Sequence, residues 1–288
     1  MRLTVRVPAT SANLGPGFDC FGLALEIVNE VALDTDGGSG IVWQGEGADE
    51  LPTDGTDMLT RSMELVAQES DRTLPSFRLT STNRIPLERG LGSSSAACVA
   101  GVFLAARLLE LDALRDPSEM WRIASRLEGH PDNAAAAVFG GLTLALPGGD
   151  VVRLDAHDSV RPVVLIPDGE RLATADARRA LPDDVPRADA VYNLAYAAYA
   201  VHAFTHRPDL LAAALHDRLH QEARLALVPT VADMFRTLSR RDVPVVVSGA
   251  GPTLLAFDTE ALEVPDPGPG WQALRPGVRA AGVELAEG

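Results

Sequence analysis

The chain has 288 residues, 46% hydrophobic and 23% charged, enough for one large domain or two modest ones. Its 40 acidic and 25 basic side chains leave a net charge of −15, a surface that repels nucleic acid and anionic membranes and excludes both as expected partners. The sequence contains no lysine, which excludes a Schiff-base enzyme, a GxxxxGK[ST] nucleotide loop and a protein kinase. Cys20 and Cys98 lack metal-ligand spacing, no apolar run reaches membrane-spanning length, and the opening MRLTVRVPAT has no apolar leader, so a cytosolic enzyme is expected.

Alternation of Leu3, Val5 and Val7 predicts a first strand ending at Pro8. GLALEIVNEVALDTD holds a second strand, and GIVWQGEG a third at a sheet edge. DMLTRSMELVAQES has near-helical apolar spacing, and SFRLTSTNRIP alternates again as a strand. From 94 to 111 the chain reads as a helix apolar on nearly all sides at its start, hence buried there. PSEMWRIASRLEG is a further helix; DNAAAAVFGGLTLAL is a short helix, a break at Gly140 and Gly141, and a strand. PGGD at 147–150, with the hairpin around it, is the expected seam between a domain over 1–150 and one over 151–288. RPVVLIPD then reads as a strand, TADARRALP as a short helix, and about 188–227 as a helical region interrupted at Pro208. VADMFRTLSRRD is a helix, VPVVVSGAGPTLLAFD a strand–turn–strand hairpin, GWQALRPG a weak helix, and AAGVELAE a last strand. Strands and helices mix without strict βαβ repetition, which predicts an α+β fold.

Four stretches carry chemistry. In GLGSSSAA, Gly90 and Gly92 permit close backbone approach to a phosphate, and Ser93 or Ser94 can cap the following helix. The segment reads either as a capped helix after a turn or as an anion cradle, with serine hydroxyls suited to Mg²⁺. PATSANLGPGFDCFG brackets Asn13 and Asp19 with glycine and proline, either as a structural turn or as a loop for an ammonium or hydroxyl group. LEGHPDN gathers Glu128, His130, Asp132 and Asn133; Glu128 is a candidate Mg²⁺ carboxylate, and His130 reads as a structural hydrogen-bonder. SGAGPTLLAF is either a plain hairpin or a set of backbone amides at a ligand. The i,i+4 pairs His202/His206 and His216/His220 lack an HExxH context and read as solvated helix faces.

Together and in this order, VPATSANLGPGFD, PLERGLGSSSAA, EGHPDN and SGAGPT resemble the GHMP small-molecule kinases, and among them the homoserine kinase family. The likeness runs over about residues 1–258. It implies a two-domain α+β fold, an N-terminal domain like the second domain of ribosomal protein S5 followed by a ferredoxin-like one. It implies ATP-dependent, Mg²⁺-assisted phosphorylation of the L-homoserine hydroxyl in threonine biosynthesis, by a cytoplasmic homodimer. Pro86, Gly90, Leu91, Gly92, Ser93, Ser94, Ser95 and Ala96 would then hold the ATP phosphates, and Ser94 and Glu128 the metal. Asn13, Asp19, Asn133 and Gly251 match substrate positions, Arg178 and Arg224 the arginines that grip its carboxylate, and Thr174 a threonine near the reacting group. Asn133, Thr174 and Glu128 are therefore the expected catalytic residues. Other kinases of this superfamily carry Asp where this chain has Asn133; an amide cannot act as a general base, so transfer without a strong protein base is expected. Where the family places an Asn–Leu pair near the adenine, this chain has Asp57 and Met58. The alternatives are a mevalonate-pathway kinase or diphosphate decarboxylase, and a catalytically silent regulator of the same fold.

Overall fold

The computed structural model describes residues 1–260 and 262–286. In chain order it contains β1 (Arg2–Ala12), β2 (Phe21–Asp34), β3 (Gly40–Gly45), α1 (Met58–Glu69), β4 (Arg78–Asn83), α2 (Ser93–Leu108), α3 (Pro117–Glu128), α4 (Pro131–Phe139), β5 (Leu142–Leu146) and β6 (Asp150–Leu154). There follow β7 (Arg161–Pro167), α5 (Thr174–Arg179), α6 (Arg187–Thr205), α7 (Leu211–Ala214), α8 (Gln221–Leu225), α9 (Pro229–Ser239), β8 (Val245–Val247), β9 (Leu254–Asp258), β10 (Trp271–Leu274) and β11 (Glu284–Leu285). Among the described residues no helix is long and apolar enough to cross a membrane.

The first sheet runs β11-β1-β2-β4-β3, with β5 paired to β2 and to β6. β2 is long enough to serve two partners: its start pairs with β5 and its end with β4. β1 continues past Pro8 to Ala12, and its register against β2 shifts between Pro8 and Ala9. Proline has no N–H to give the ladder, so a bulge there is the physical accommodation. β3 is an edge strand, parallel to β4 and joined to it through α1.

α2 has no polar face, and apart from the half-buried Ala97 it is buried from Ser95 to Ala106 rather than only at its start. Gly101 permits this depth: a Cβ there would stand 2.4 Å from the Leu59 carbonyl of α1. α4 packs on the sheet through Ala134, Ala135, Ala136 and Ala137, all fully buried.

The second sheet is antiparallel, in the order β10-β7-β9-β8. Strand alternation gives it two apolar faces. Val164, Ile166, Leu255 and Phe257 join the main core with Ala200 and Phe204 of α6. Val163, Leu165, Leu254 and Ala256 pack instead with Leu225 of α8 and Val231, Ala232 and Leu238 of α9.

The turn at 147–150 closes the β5–β6 hairpin inside the first sheet, and the chain passes to the second sheet between β6 and β7. Residues after β10 also return to the first sheet, where β11 pairs with β1 and Val283 N donates to Ala137 O at 2.8 Å. Two expectations need correction. The GWQAL segment is not a helix but β10, paired with β7 over Trp271–Leu274. Finally, His220 is not on a solvated helix face: helix stops after α7, resumes at α8, and the His220 side chain between them is buried.

Candidate active site

The glycine loop before α2 is shaped by what presses on it. Gly90 and Gly92 have φ of +71° and +70°, the left-handed region that favours glycine. A Cβ on Gly90 would stand 2.2 Å from Ser248 O, and one on Gly92 2.0 Å from Thr10 Oγ1. Both glycines are thus required by the protein's own neighbours, the end of β1 and the turn between β8 and β9, a reason additional to phosphate approach. Ser248 Oγ donates to Gly90 O at 2.7 Å, and Thr10 N donates to Leu91 O at 3.0 Å.

Neither serine caps α2. Its N-cap is Gly92, with no side-chain cap bond, so the first-turn N–H groups are not taken by a cap. Ser94 Oγ instead donates to Glu128 Oε2 at 3.0 Å, bringing together two side-chain oxygens from α2 and the end of α3. Burial pushes the Glu128 carboxyl up, against the lowering effect of the Ser94 hydrogen bond.

A cleft of about 920 Å³ opens in front of this loop. It gathers Asn13, Asp19, Pro86, Gly90, Leu91, Gly92, Ser93, Ser94, Glu128, Asn133, Thr174, Arg178 and Arg224. Three sequence-derived positions fall outside it. Ser95 is buried with its hydroxyl unpartnered among the described residues, and Ala96 lines a second pocket. Gly251 lies behind Gly90, its carbonyl 2.9 Å from where a Gly90 Cβ would be, and Gly249 and Ala250 line the cleft instead.

On the side opposite the loop the groups are charged. Residues Asn13, Leu14, Gly15 and Asp19 all have positive φ, so the loop after β1 is tightly wound. Asn13 holds it: its Oδ1 accepts from Asp19 N at 3.0 Å and its Nδ2 donates to Gly249 O at 3.1 Å. Asp19 and Arg178, expected to hold opposite ends of a ligand, pair with each other through two hydrogen bonds of 2.8 and 3.1 Å. Both are over a third exposed, which leaves the pair exchangeable. Thr174 stands one helical turn before Arg178 on α5.

Arg224 is 5% exposed, and burial draws its guanidinium down to about 10, still charged at neutral pH. Its Nη1 donates to Gly249 O at 2.7 Å, and its buried Nε has no partner among the described residues. Asp132 is 2% exposed, and burial pushes its carboxyl up to about 7. Asn133 Oδ1 accepts from Thr10 Oγ1 at 2.7 Å, leaving its amide N–H groups to face the cleft.

Sequence reasoning did not single out Thr10, which shapes the loop and holds Asn133, or Phe18, whose ring lies under both guanidinium groups at 5.8 Å (Arg178) and 5.4 Å (Arg224). His130, read as structural, lines the cleft. Thr10 lies within the quoted PATSAN stretch; nothing in the spacing marks Phe18.

The second pocket, about 1270 Å³, meets the cleft at Glu88, Ser93 and Ser94. Asp57 lines it at the N-cap of α1, where Oδ1 accepts from Thr60 N at 2.8 Å and Oδ2 is buried without a partner among the described residues. Met58 lines it too.

Comparison with known proteins shows the family to which the chain belongs. A family model described as the GHMP kinases N terminal domain matches residues 57–141. The homoserine kinase of Clavibacter michiganensis subsp. michiganensis is 42% identical over 264 residues, 90% of this chain and 83% of that one. That of Streptomyces avermitilis is 42% identical over 290 residues, covering 98% and 94%. The solved structure of a homoserine kinase from Cytophaga hutchinsonii superposes with a TM-score of 0.83 at 24% identity, over 99% of this chain and 97% of that one, and shows the shared fold. With such identity over nearly its whole length, the chain belongs to the homoserine kinase family of GHMP kinases.

Proposed function

We propose that the chain transfers the γ-phosphoryl group of ATP to the side-chain hydroxyl of L-homoserine. The observation that carries this reading is the convergence in one cleft of an uncapped helix N-terminus, the Ser94–Glu128 oxygen pair, and the charged set Asp19, Arg178 and Arg224. The N–H groups and dipole at the start of α2 attract the triphosphate, which answers for the missing lysine. The second pocket, which meets the cleft at Ser93 and Ser94 and is lined by Asp57 and Met58, would take the adenine.

The chain's residues fit Mg²⁺: Ser94 Oγ and Glu128 Oε2 are hard oxygen ligands 3.0 Å apart. Ser94 and Glu128 would hold such an ion, and it would supply neutralisation of charge on the phosphate oxygens.

A zwitterionic amino acid satisfies the charges that Asp19 and Arg178 now satisfy for each other. Its ammonium replaces the guanidinium at Asp19, and its carboxylate takes Arg178 and Arg224. The distal hydroxyl then faces the γ-phosphate between Asn133 and Thr174. Asn133 can orient that oxygen with its amide but cannot take a proton. The hydroxyl proton leaves late, to the phosphate, with Asp132 as an orienting acceptor; rate comes from positioning and charge stabilisation. An ADP-release assay with homoserine, threonine, serine and mevalonate side by side tests this. Homoserine should give the highest kcat/KM; turnover of mevalonate without homoserine would overturn it.

A further inference from the structure

His220 belongs to none of the motifs above, yet it touches two parts of the cleft. Its Nε2 lies 2.8 Å from Gly15 O, on the loop that carries Asn13 and Asp19. Its Nδ1 lies 3.1 Å from Arg224 Nη1. A carbonyl can only accept and a guanidinium can only donate, so the proton sits on Nε2 and the lone pair on Nδ1. Burial holds the imidazole down to about 4, so this neutral form persists at neutral pH. The backbone is fixed as well: Asp217 accepts from Leu219 N at 3.1 Å, His220 N at 2.9 Å and Gln221 N at 2.8 Å. Phe18 stacks on the ring, with centroids 5.1 Å apart.

The consequence falls on Arg224. Its Nη1 is spent, one N–H on Gly249 O and one on His220 Nδ1. What remains is the Nε–Nη2 edge, a parallel fork suited to a carboxylate, and Nε is the atom left buried without a protein partner among the described residues. We propose that His220 is a positioning residue that locks Arg224 with its Nε–Nη2 edge turned to the substrate carboxylate. This rests on the reading of Arg224 as that carboxylate's grip.

The test compares His220→Asn with His220→Gln. The Asn oxygen stands near the place of Nδ1 and retains an acceptor for Arg224; the Gln amide reaches toward Gly15 and offers Nη1 no acceptor. Loss of one hydrogen bond to a charged group predicts a homoserine KM roughly 10- to 100-fold higher in His220→Gln, with the ATP KM unchanged and most of the defect rescued in His220→Asn. In an Arg224→Ala background, His220→Gln should add nothing to the homoserine KM. Equal defects in the two variants, or a full added loss in the Arg224→Ala background, would overturn the proposal. If Arg224→Ala by itself leaves the homoserine KM unchanged, the reading of Arg224 fails and this proposal fails with it.

Discussion

The loop side of the cleft is held by backbone and sterics, the amino-acid side by charged side chains. Around Gly90 and Gly92 the positions a Cβ would take are filled by Ser248 O and Thr10 Oγ1, so the loop has almost no other conformation to adopt. Across the cleft, Asp19 and Arg178 neutralise one another in a half-exposed pair that a ligand with both charges can replace. On the function proposed above, a triphosphate would be recognised by a preformed surface of N–H groups and a small zwitterion by exchange of ion pairs. The first arrangement is rigid and intolerant; the second is graded, because each side chain contributes separately.

Substitutions should show that difference. The largest effect is expected from Gly92→Ala, which combines a φ of +70° with a 2.0 Å clash against Thr10 Oγ1. Destabilisation of at least about 2 kcal/mol is expected, read as a fall in Tm, together with loss of ATP turnover. A stable, active variant would mean the loop is softer than its contacts imply. Glu128→Gln comes next, with kcat lower by roughly 10²- to 10³-fold and a higher Mg²⁺ requirement, measured by titrating the metal. Arg224→Ala should then cost roughly 2–4 kcal/mol in kcat/KM for homoserine with little change in the KM for ATP, and the more exposed Arg178→Ala less. Equal losses for both substrates would erase the division between the two sides.

The smallest effect concerns pH. The folded Asp132 carboxyl, at about 7, lies above its ordinary value near 4. Between those values the folded chain keeps a proton that the unfolded chain has released. Its contribution to stability is therefore full below about pH 4 and lost as pH rises through about 7. Asp132→Asn removes that dependence, so its Tm advantage over the parent should be larger at pH 8 than at pH 5, corresponding to on the order of 1–3 kcal/mol. A difference independent of pH would show that Asp132 does not titrate in this window.

Much of the loop side was legible in the sequence because glycines, an apolar run and strand alternation are local signals. On the charged side Asp19 was legible as a candidate partner for an ammonium, but Arg178 and Arg224 only through resemblance, since the three come from distant segments. That Asp19 and Arg178 would pair with each other has no local signature at all. β10 was misread because its strand character comes from pairing with β7, a long way back in the chain. His216 and His220 share helical spacing, but both lie in the break between α7, which ends at Ala214, and α8, which begins at Gln221; Asp217, collecting three backbone N–H groups, was the one available signal of a restart. PGGD marks the turn of the β5–β6 hairpin, and a turn does not say whether the strand beyond it stays in the same sheet.

The contact between Gly90 and Ser248 also bears on how the protein is made. The two residues are 158 positions apart, so the glycine loop leaves the ribosome long before the turn that shapes it. β1 likewise pairs along one edge with β11, which follows all the other described strands in the chain. A nascent chain that has folded its first helices still lacks the wall behind its phosphate loop. Nucleotide affinity should therefore arise abruptly, once Ser248 has emerged, rather than grow with chain length.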